Sequence, residues 1–177
     1  NPKEGCFLLA RDRMGVKPLY YYHSAQGLSF SSNLESLRKD PRVPFQISPS
    51  SLQTFFFVGY SGRKESILSH VQKVMPGHYI KWSTNGKIEE KTYWKYQTQF
   101  QESVEEEEWL ERLEKTLSLA VENSLASDVP LGLFLTGGTD STMLAHYAKK
   151  QSKSVLTAFH ISFEEKSFDE SSYAKAV

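Results

Sequence analysis

A short apolar run, two adjacent glycines and a helical segment, in that order, constrain this chain more than any other feature. Residues 131–142 read LGLFLTGGTDST, which predicts a strand, a loop of small residues and a helix over about 142–150. This order directs backbone N–H groups and the positive end of a helix dipole towards one point. Adjacent glycines allow a positive φ and a close approach of the backbone to a ligand. The pattern therefore predicts an anion site, and phosphate is the common biological case.

The loop matches neither of the two common phosphate-binding motifs. It lacks the lysine of a Walker A loop and the glycine spacing of a dinucleotide-binding fingerprint. It resembles the S-G-G-x-D-S loop of the ATP pyrophosphatases (PP-loop enzymes), which cleave ATP between the α and β phosphates and hold the pyrophosphate. Thr136 stands at the first serine of that motif; it keeps the hydroxyl and adds a methyl group. The alternative is a strand-to-helix turn whose glycines serve backbone geometry only.

The residues after the loop predict a βαβ unit. Apolar residues at helical spacing give the helix a buried side, and residues 155–163 are predicted as a second apolar strand. A strand, a helix and a strand of this length predict parallel pairing with a right-handed crossover. Ligands of parallel sheets lie at the carboxyl ends of the strands, so we expect Ile161 to lie at the same edge as the glycine loop, beside a base.

The first half of the chain predicts a mostly β unit. Residues 6–11, 19–23 and 28–32 are short apolar runs separated by turn residues, and we expect them to form a β-meander. Residues 78–82 and 88–94 flank Asn85-Gly86, the strongest short-range signal for a β-hairpin.

Cap residues predict two small helices within this half. Asn33 can cap a helix that extends to Lys39. Ser48 followed by Pro49 begins a second helix, which ends at Gly59. Its apolar face is formed by Leu52, Phe55 and Phe56.

A change of composition near Gln97 predicts a domain boundary. Ser103 and Glu106 form a capping box, and a stripe of leucines at helical spacing follows. We therefore expect two domains, at 1–98 and 99–177, with an α+β fold followed by an α/β fold.

Charge and hydropathy exclude several classes of function. The 177 residues carry 21 basic and 21 acidic side chains, so no net field favours nucleic acid or an acidic membrane surface. No apolar run approaches the roughly 20 residues of a membrane span. The single cysteine, Cys6, cannot form an intramolecular disulfide, which fits a reducing, cytoplasmic location. Because Cys6 lies in an apolar run, we expect it in the core.

Five segments occur along the chain in one order. They read ARDRMGVKPLYYY, KVMPGHYIKW, TYWKY, ASDVPLGLFLTGGTDSTML and FHISFEEKSFDESSYAKAV. Together they resemble the glutamine-dependent asparagine synthetases. The resemblance implies the C-terminal half of a class II (Ntn) glutaminase domain, followed by the first helix and βαβ unit of a PP-loop synthetase domain. In that family glutamine supplies ammonia. The synthetase domain uses ATP and Mg²⁺ to adenylate the side-chain carboxylate of aspartate, and ammonia then displaces AMP.

The resemblance, carried over position by position, assigns contacts to ATP and pyrophosphate. The matching positions are Leu135, Thr136, Gly137, Gly138, Asp140, Ser141 and Ile161. Asp140 would also hold Mg²⁺ with the pyrophosphate; its alternative role is the N-cap of the helix. Loss of either glycine is expected to cost most, since a Cβ would block the approach of the backbone to the ligand.

No catalytic residue is assigned within these 177 residues. The family's nucleophile is a cysteine at the mature N-terminus, whereas residue 1 is Asn. We expect the chain to be a piece of a longer protein and to show no turnover alone. Arg11, Asp12 and Arg13 are interpreted as turn and interface residues. Structural roles, without metal-ligand spacing, are expected for His23, His70, His78, His146 and His160.

Three functions stay open on the sequence. The first is part of an asparagine synthetase whose substrates are glutamine and aspartate. The second is another adenylating enzyme on the same framework, such as a β-lactam synthetase or an enzyme that modifies polysaccharides. The third is a non-catalytic module with this fold. In each case we expect no nucleic-acid or membrane partner, and a homodimer is one option for assembly.

Overall fold

The computed structural model describes residues 5–98 and 104–177. Contacts divide the chain into two compact units, Asn1–Thr98 and Gln99–Val177. The division lies in the stretch where the composition changes, and the assignment of each unit to a domain stays a prediction.

The first unit is built from short strands and two helices. The strands are β1 (Cys6–Ala10), β2 (Tyr20–Ser24), β3 (Gly27–Ser31), β4 (Gln72–Lys73), β5 (His78–Ser83) and β6 (Ile88–Thr92), and the helices are α1 (Leu34–Arg38) and α2 (Pro49–Val58). The strands form two antiparallel three-stranded sheets, with strand orders β1-β5-β6 and β3-β2-β4.

The predicted meander of the first three strands is wrong. β2 and β3 form the expected hairpin, but β1 pairs with β5, with Leu9 opposite Ile80. The connection between β1 and β2 is not a tight turn but spans residues 11–19, and within it the Arg11 side chain donates to the carbonyls of Lys17 and Gly15. Burial of Leu9 against the fully buried Ile80 therefore decides the partner of β1, over a distance that no local pattern reports.

Local signals for turns and caps in this unit are confirmed. β5 and β6 form a hairpin around Asn85-Gly86, and Gly86 has a φ of +83°. The Asn33 side chain accepts from the N–H of Glu35, and the Ser48 side chain accepts from the N–H of Ser51. Gly59 ends α2 in the left-handed region, which a residue without a Cβ adopts at little cost.

The apolar face predicted for α2 lies at the surface: Phe56 is 77% exposed, and the buried residue of this helix is Ser51. Among the described residues, no layer covers that face. The expectation that Cys6 lies in the core is wrong, because Cys6 is half-buried at the start of β1 and Leu9 is the buried residue of the strand. The core of the unit consists of two clusters: Leu9, Tyr21, Val74 and Ile80, and Leu37, Val43, Leu68 and Val71.

The second unit contains the predicted βαβ arrangement. Its elements are α3 (Glu106–Ser124), β7 (Gly132–Phe134), α4 (Thr139–Gln151), β8 (Thr157–Phe159) and α5 (Ser171–Ala176). β7 and β8 pair in parallel, with Leu133 opposite Ala158. The second strand is shorter than predicted and α4 begins three residues earlier than predicted. The first helix begins at Glu106 with Glu105 as its N-cap, whereas Ser103 of the predicted capping box lies outside the described residues.

α3 packs against α4 through a narrow contact. Val121 and Ala148 are buried, and the Gln151 amide donates to the carbonyl and hydroxyl of Ser118. The N-terminal part of the predicted leucine stripe is exposed in this unit, since Leu110 and Leu113 are more than half exposed. None of the described helices is long and apolar enough to cross a bilayer.

Candidate anion and nucleotide site

The glycine loop begins where β7 leaves the sheet. The N–H of Leu135 donates to the carbonyl of Phe159 at 2.9 Å, which extends the ladder between β7 and β8 by one residue. Leu135 is 8% exposed. The chain therefore enters the loop from a fixed and buried position at the carboxyl end of the strand.

The backbone of the loop turns sharply at Gly137. Gly137 has a φ of +84°, a conformation that strongly favours glycine. Gly138 is the N-cap of α4 and makes no side-chain cap. Asp140 is the second residue of α4, so the alternative role that the sequence offered for it, that of an N-cap, is wrong.

Two hydroxyl groups hold the loop against the first turn of α4. The Thr136 and Ser141 hydroxyl oxygens lie 3.1 Å apart, and the Thr136 oxygen accepts from the N–H of Gly138 at 3.3 Å. The Ser141 hydroxyl lies 3.1 Å from the Gly138 carbonyl and can donate to it. Thr136 therefore acts through its oxygen, as a serine would, and the added methyl group replaces none of these contacts.

The start of α4 presents backbone donors to solvent. The N–H groups of Thr139, Asp140 and Ser141 precede the first intrahelical bond, which runs from Thr142 to the Gly138 carbonyl. Among the described residues, none of these three N–H groups has an acceptor. Gly138, Thr139 and Asp140 are exposed, so the donors and the positive end of the helix dipole are accessible to an anion.

The two glycines differ in what surrounds them. A Cβ on Gly137 would lie 2.5 Å from the carbonyl carbon of Tyr173 and 2.7 Å from the amide nitrogen of Ala174. A Cβ on Gly138 would meet only the Thr136 hydroxyl oxygen, at 3.4 Å. The expectation that both glycines leave space for a ligand therefore needs correction: at Gly137 the space is occupied by α5, and only Gly138 has an open side.

A cavity of about 320 Å³ lies next to the loop. It brings together three of the predicted site residues, Leu135, Thr136 and Ile161. Ile161 lies two residues beyond the end of β8. Most of the remaining wall is aromatic and consists of Phe134, Phe159, Phe163 and Phe168. The other four predicted residues, Gly137, Gly138, Asp140 and Ser141, lie in the loop and the first turn of α4, outside this lining.

Asp140 is the acidic residue in the first turn of α4. Among the described residues, no three His, Cys, Asp or Glu side chains form a cluster that could hold a metal ion. Mg²⁺ is commonly held by one or two carboxylates together with phosphate oxygens, so a single exposed carboxylate beside an anion site fits that ion. A divalent ion would also offset repulsion between Asp140 and a bound phosphate.

Sequence reasoning missed one group of polar residues at the loop. His160, to which it gave a structural role, contacts the Leu135 carbonyl through Nδ1 at 2.9 Å and the Ser171 hydroxyl through Nε2 at 3.1 Å. The Ser171 hydroxyl and its N–H both donate to Asp169. These bonds, the hydroxyl bond foremost, hold the pKa of the Asp169 carboxyl below its usual value. The Asp-x-Ser spacing, which is typical of a side-chain turn, was the available signal.

Comparisons with known proteins agree with this order of units. A glutamine amidotransferase domain model matches residues 1–94, and an asparagine synthase model matches residues 112–177. These matches place the chain among proteins in which an amidotransferase domain precedes an asparagine synthase domain. The chain belongs to the glutamine-hydrolysing asparagine synthetase family.

Individual relatives cover most of the chain but only part of their own length. Glutamine-hydrolysing asparagine synthetase 1 of Bacillus subtilis strain 168 is 32% identical over 166 residues, 94% of this chain and 26% of the relative. Asparagine synthetase 2 of the same organism is 32% identical over 154 residues, 81% of this chain and 21% of the relative. The amidase chyE of Penicillium rubens is 30% identical over 142 residues, 78% of this chain and 20% of the relative. The chain thus spans about a fifth to a quarter of the length of these curated relatives.

Proposed function

We propose that the second unit binds MgATP and that the natural full-length protein is a glutamine-dependent asparagine synthetase. In this proposal the first unit is part of an Ntn-type glutaminase domain and the second is the start of a PP-loop synthetase domain. Glutamine hydrolysis supplies ammonia, ATP adenylates the side-chain carboxylate of aspartate with release of pyrophosphate, and ammonia displaces AMP to give asparagine. The acyl adenylate is needed because a carboxylate does not react with ammonia until its oxygen becomes a good leaving group.

One observation carries the proposal. Among the described residues, the N–H groups of Thr139, Asp140 and Ser141 have no acceptor, and the loop that precedes them lines an aromatic cavity through Thr136, at the carboxyl ends of two parallel strands. The amides suit the β and γ phosphates, and the cavity suits the base and ribose. Within this proposal Leu135 and Ile161 contact the adenosine.

The loop side chains have separate roles in this proposal. Thr136 and Ser141 hold the loop in the shape that presents the amides. Mg²⁺, held by Asp140 together with phosphate oxygens, would neutralise charge on the pyrophosphate. Because the amides are fixed before the ligand arrives, little binding energy is lost to ordering the loop.

The direct test is product analysis with the full-length protein. MgATP, aspartate and either glutamine or ammonium should yield AMP, pyrophosphate and asparagine in equal amounts. Gly138→Val is expected to abolish pyrophosphate release from ATP, because its side chain would occupy the open side of the loop. Absence of AMP with every amino-acid carboxylate offered would contradict the proposal and favour a non-catalytic module. We expect residues 1–177 alone to form no asparagine.

A second candidate is an adenylating enzyme with another acceptor; the match to the amidase chyE shows that similarity to this chain extends to a protein with a name other than asparagine synthetase. The acceptor carboxylate would then differ while the ATP site stayed the same. Pyrophosphate release that is stimulated by a different carboxylic acid, and not by aspartate, would select this candidate.

A further inference from the structure

A chain of three polar side chains connects the end of β7 to the start of α5. It runs from the Leu135 carbonyl through His160 and Ser171 to Asp169. A carbonyl oxygen only accepts hydrogen bonds, so Nδ1 of His160 must carry a proton and donate to Leu135. Nδ1 is thereby held by a hydrogen bond, and Nε2 lies 3.1 Å from the Ser171 hydroxyl oxygen.

Leu135 is the last residue before the loop, and both of its backbone groups are held. Its N–H donates to Phe159 in the sheet and its carbonyl accepts from His160. Loss of the imidazole would leave this part-buried carbonyl without the partner that joins it to α5, at a cost of about 1–3 kcal/mol in general. The backbone that enters Thr136 therefore depends on His160 for its position.

At the other end of this row of side chains, Asp169 orders the segment that contacts the loop and lines the cavity. Asp169 accepts from the N–H of Phe163 and from the N–H of Ser171. Residues Tyr173 and Ala174, in the helix that follows, contact Gly137. The same network thus reaches the loop from two sides: through the carbonyl of Leu135 and through the backbone around Gly137.

We propose that His160 is a positioning residue for the pyrophosphate loop, which it fixes to α5 through Ser171 and Asp169. The proposal rests on the proposed function for the identity of the ligand. His160 also lines the aromatic cavity, so its imidazole is near both nucleotides. The consequence is still selective, because support of the amides that meet the β and γ phosphates adds a loss for MgATP that AMP, which lacks those groups, does not show.

The test compares MgATP with AMP on the full-length protein, by equilibrium dialysis. In His160→Gln the amide lies at the position of Nε2, so the bond to Leu135 is lost, whereas in His160→Asn an N–H lies at the position of Nδ1. We expect His160→Gln to raise the Kd of MgATP about tenfold and that of AMP less than about twofold. We expect His160→Asn to stay within about threefold of the wild type for both ligands. The matched control is His146→Gln, an exposed histidine of α4, which should change neither Kd.

Amide hydrogen exchange without nucleotide separates this inference from the proposed function. Exchange of the hydrogen-bonded amides of Leu135, Thr136, Gly138 and Thr142 should be about fivefold faster or more in His160→Gln, with exchange in α3 unchanged. If the wild type binds neither nucleotide, the proposed function fails, and the exchange result alone decides the role of His160. Unchanged exchange in the loop would overturn the inference, as would an equal loss of MgATP and AMP binding.

Discussion

Gly137 and Tyr173 approach so closely that a Cβ on the glycine would lie 2.5 Å from the carbonyl carbon of the tyrosine. Gly137 also has a φ of +84°. Two independent constraints, one of conformation and one of space, therefore require glycine here. Gly138 has neither constraint, since its φ is −70° and its nearest contact would be ordinary.

Alanine substitutions should separate the two glycines. Gly137→Ala combines a left-handed backbone, which costs about 1–2 kcal/mol with a side chain, with a clash against backbone that cannot rotate away. Gly138→Ala should cost less than about 1 kcal/mol, mainly because alanine is a poorer N-cap. Chemical denaturation of the full-length protein measures both losses of stability.

A small loss of stability in Gly138→Ala should be accompanied by a clear loss of MgATP binding. For Gly138→Ala, the methyl group would point to the open side of the loop, so MgATP binding should weaken although the fold is kept. Equal stability of the two variants would contradict the contact between Gly137 and α5. Unchanged MgATP affinity in Gly138→Ala would contradict the open side as the approach of the phosphates.

The Thr136 hydroxyl, and not its methyl group, should determine how well the loop holds its shape. Thr136→Ser keeps the oxygen that accepts from Gly138 and contacts Ser141, so stability and MgATP affinity should stay close to those of the wild type. Thr136→Val keeps the shape and removes the oxygen, and it should weaken MgATP binding by roughly 1 kcal/mol, the usual worth of a hydrogen bond. Calorimetric titration of both variants checks this, and a Thr136→Val affinity equal to that of Thr136→Ser would contradict it.

Features with a local cause were predictable from the sequence, and features that depend on distant partners were not. Asn33, Ser48 and Asn85-Gly86 act within a few residues of themselves, and the structure confirms their turns and caps. The partner of β1 lies about 70 residues away, so periodicity cannot name it. This is why a plausible meander was predicted in place of the pairing between β1 and β5.

The candidate site shows the same limit. The residue types of the loop follow from the glycines and hydroxyls, and a local pattern predicts an anion site there. The contact between Gly137 and α5, and the bond from His160 to Leu135, join segments 25 or more residues apart. Asp140 is a residue type that often caps helices. However, α4 begins at Thr139, one residue before Asp140, so the N-cap of α4 is Gly138.

Asp40 should make the first unit sensitive to acid. Hydrogen bonds from Arg42, foremost, and from the buried Ser29 hold the pKa of the Asp40 carboxyl well below its unfolded value of 3.8. A lowered folded pKa contributes stability that is fully present above the unfolded pKa and is lost as the pH falls through that value towards the folded one. Asp40→Asn should therefore lower the urea midpoint at pH 7, and its difference from the wild type should shrink below about pH 5.

Ser29→Ala provides the companion measurement for Asp40. It removes one of the hydrogen bonds to the carboxylate and should show the same pH trend with a smaller amplitude. A difference between Asp40→Asn and the wild type that stays constant from pH 7 to about pH 3 would contradict the assignment, because it would owe nothing to ionisation.

Arg11 should stabilise the first unit through three carbonyl groups at once. Its guanidinium donates to Lys17 at 2.9 Å, to Val74 at 2.9 Å and to Gly15 at 2.8 Å, and Val74 belongs to the buried core. Lysine has a single nitrogen and cannot reach all three, so Arg11→Lys should leave at least one part-buried carbonyl unsatisfied and cost about 1–3 kcal/mol. Arg13→Lys, at an exposed position of the same turn, is the matched control and should change stability by less than about 0.5 kcal/mol. Urea denaturation of both variants measures this difference. Equal urea midpoints for Arg11→Lys and Arg13→Lys would mean that the three hydrogen bonds from Arg11 do not hold this turn against the sheet.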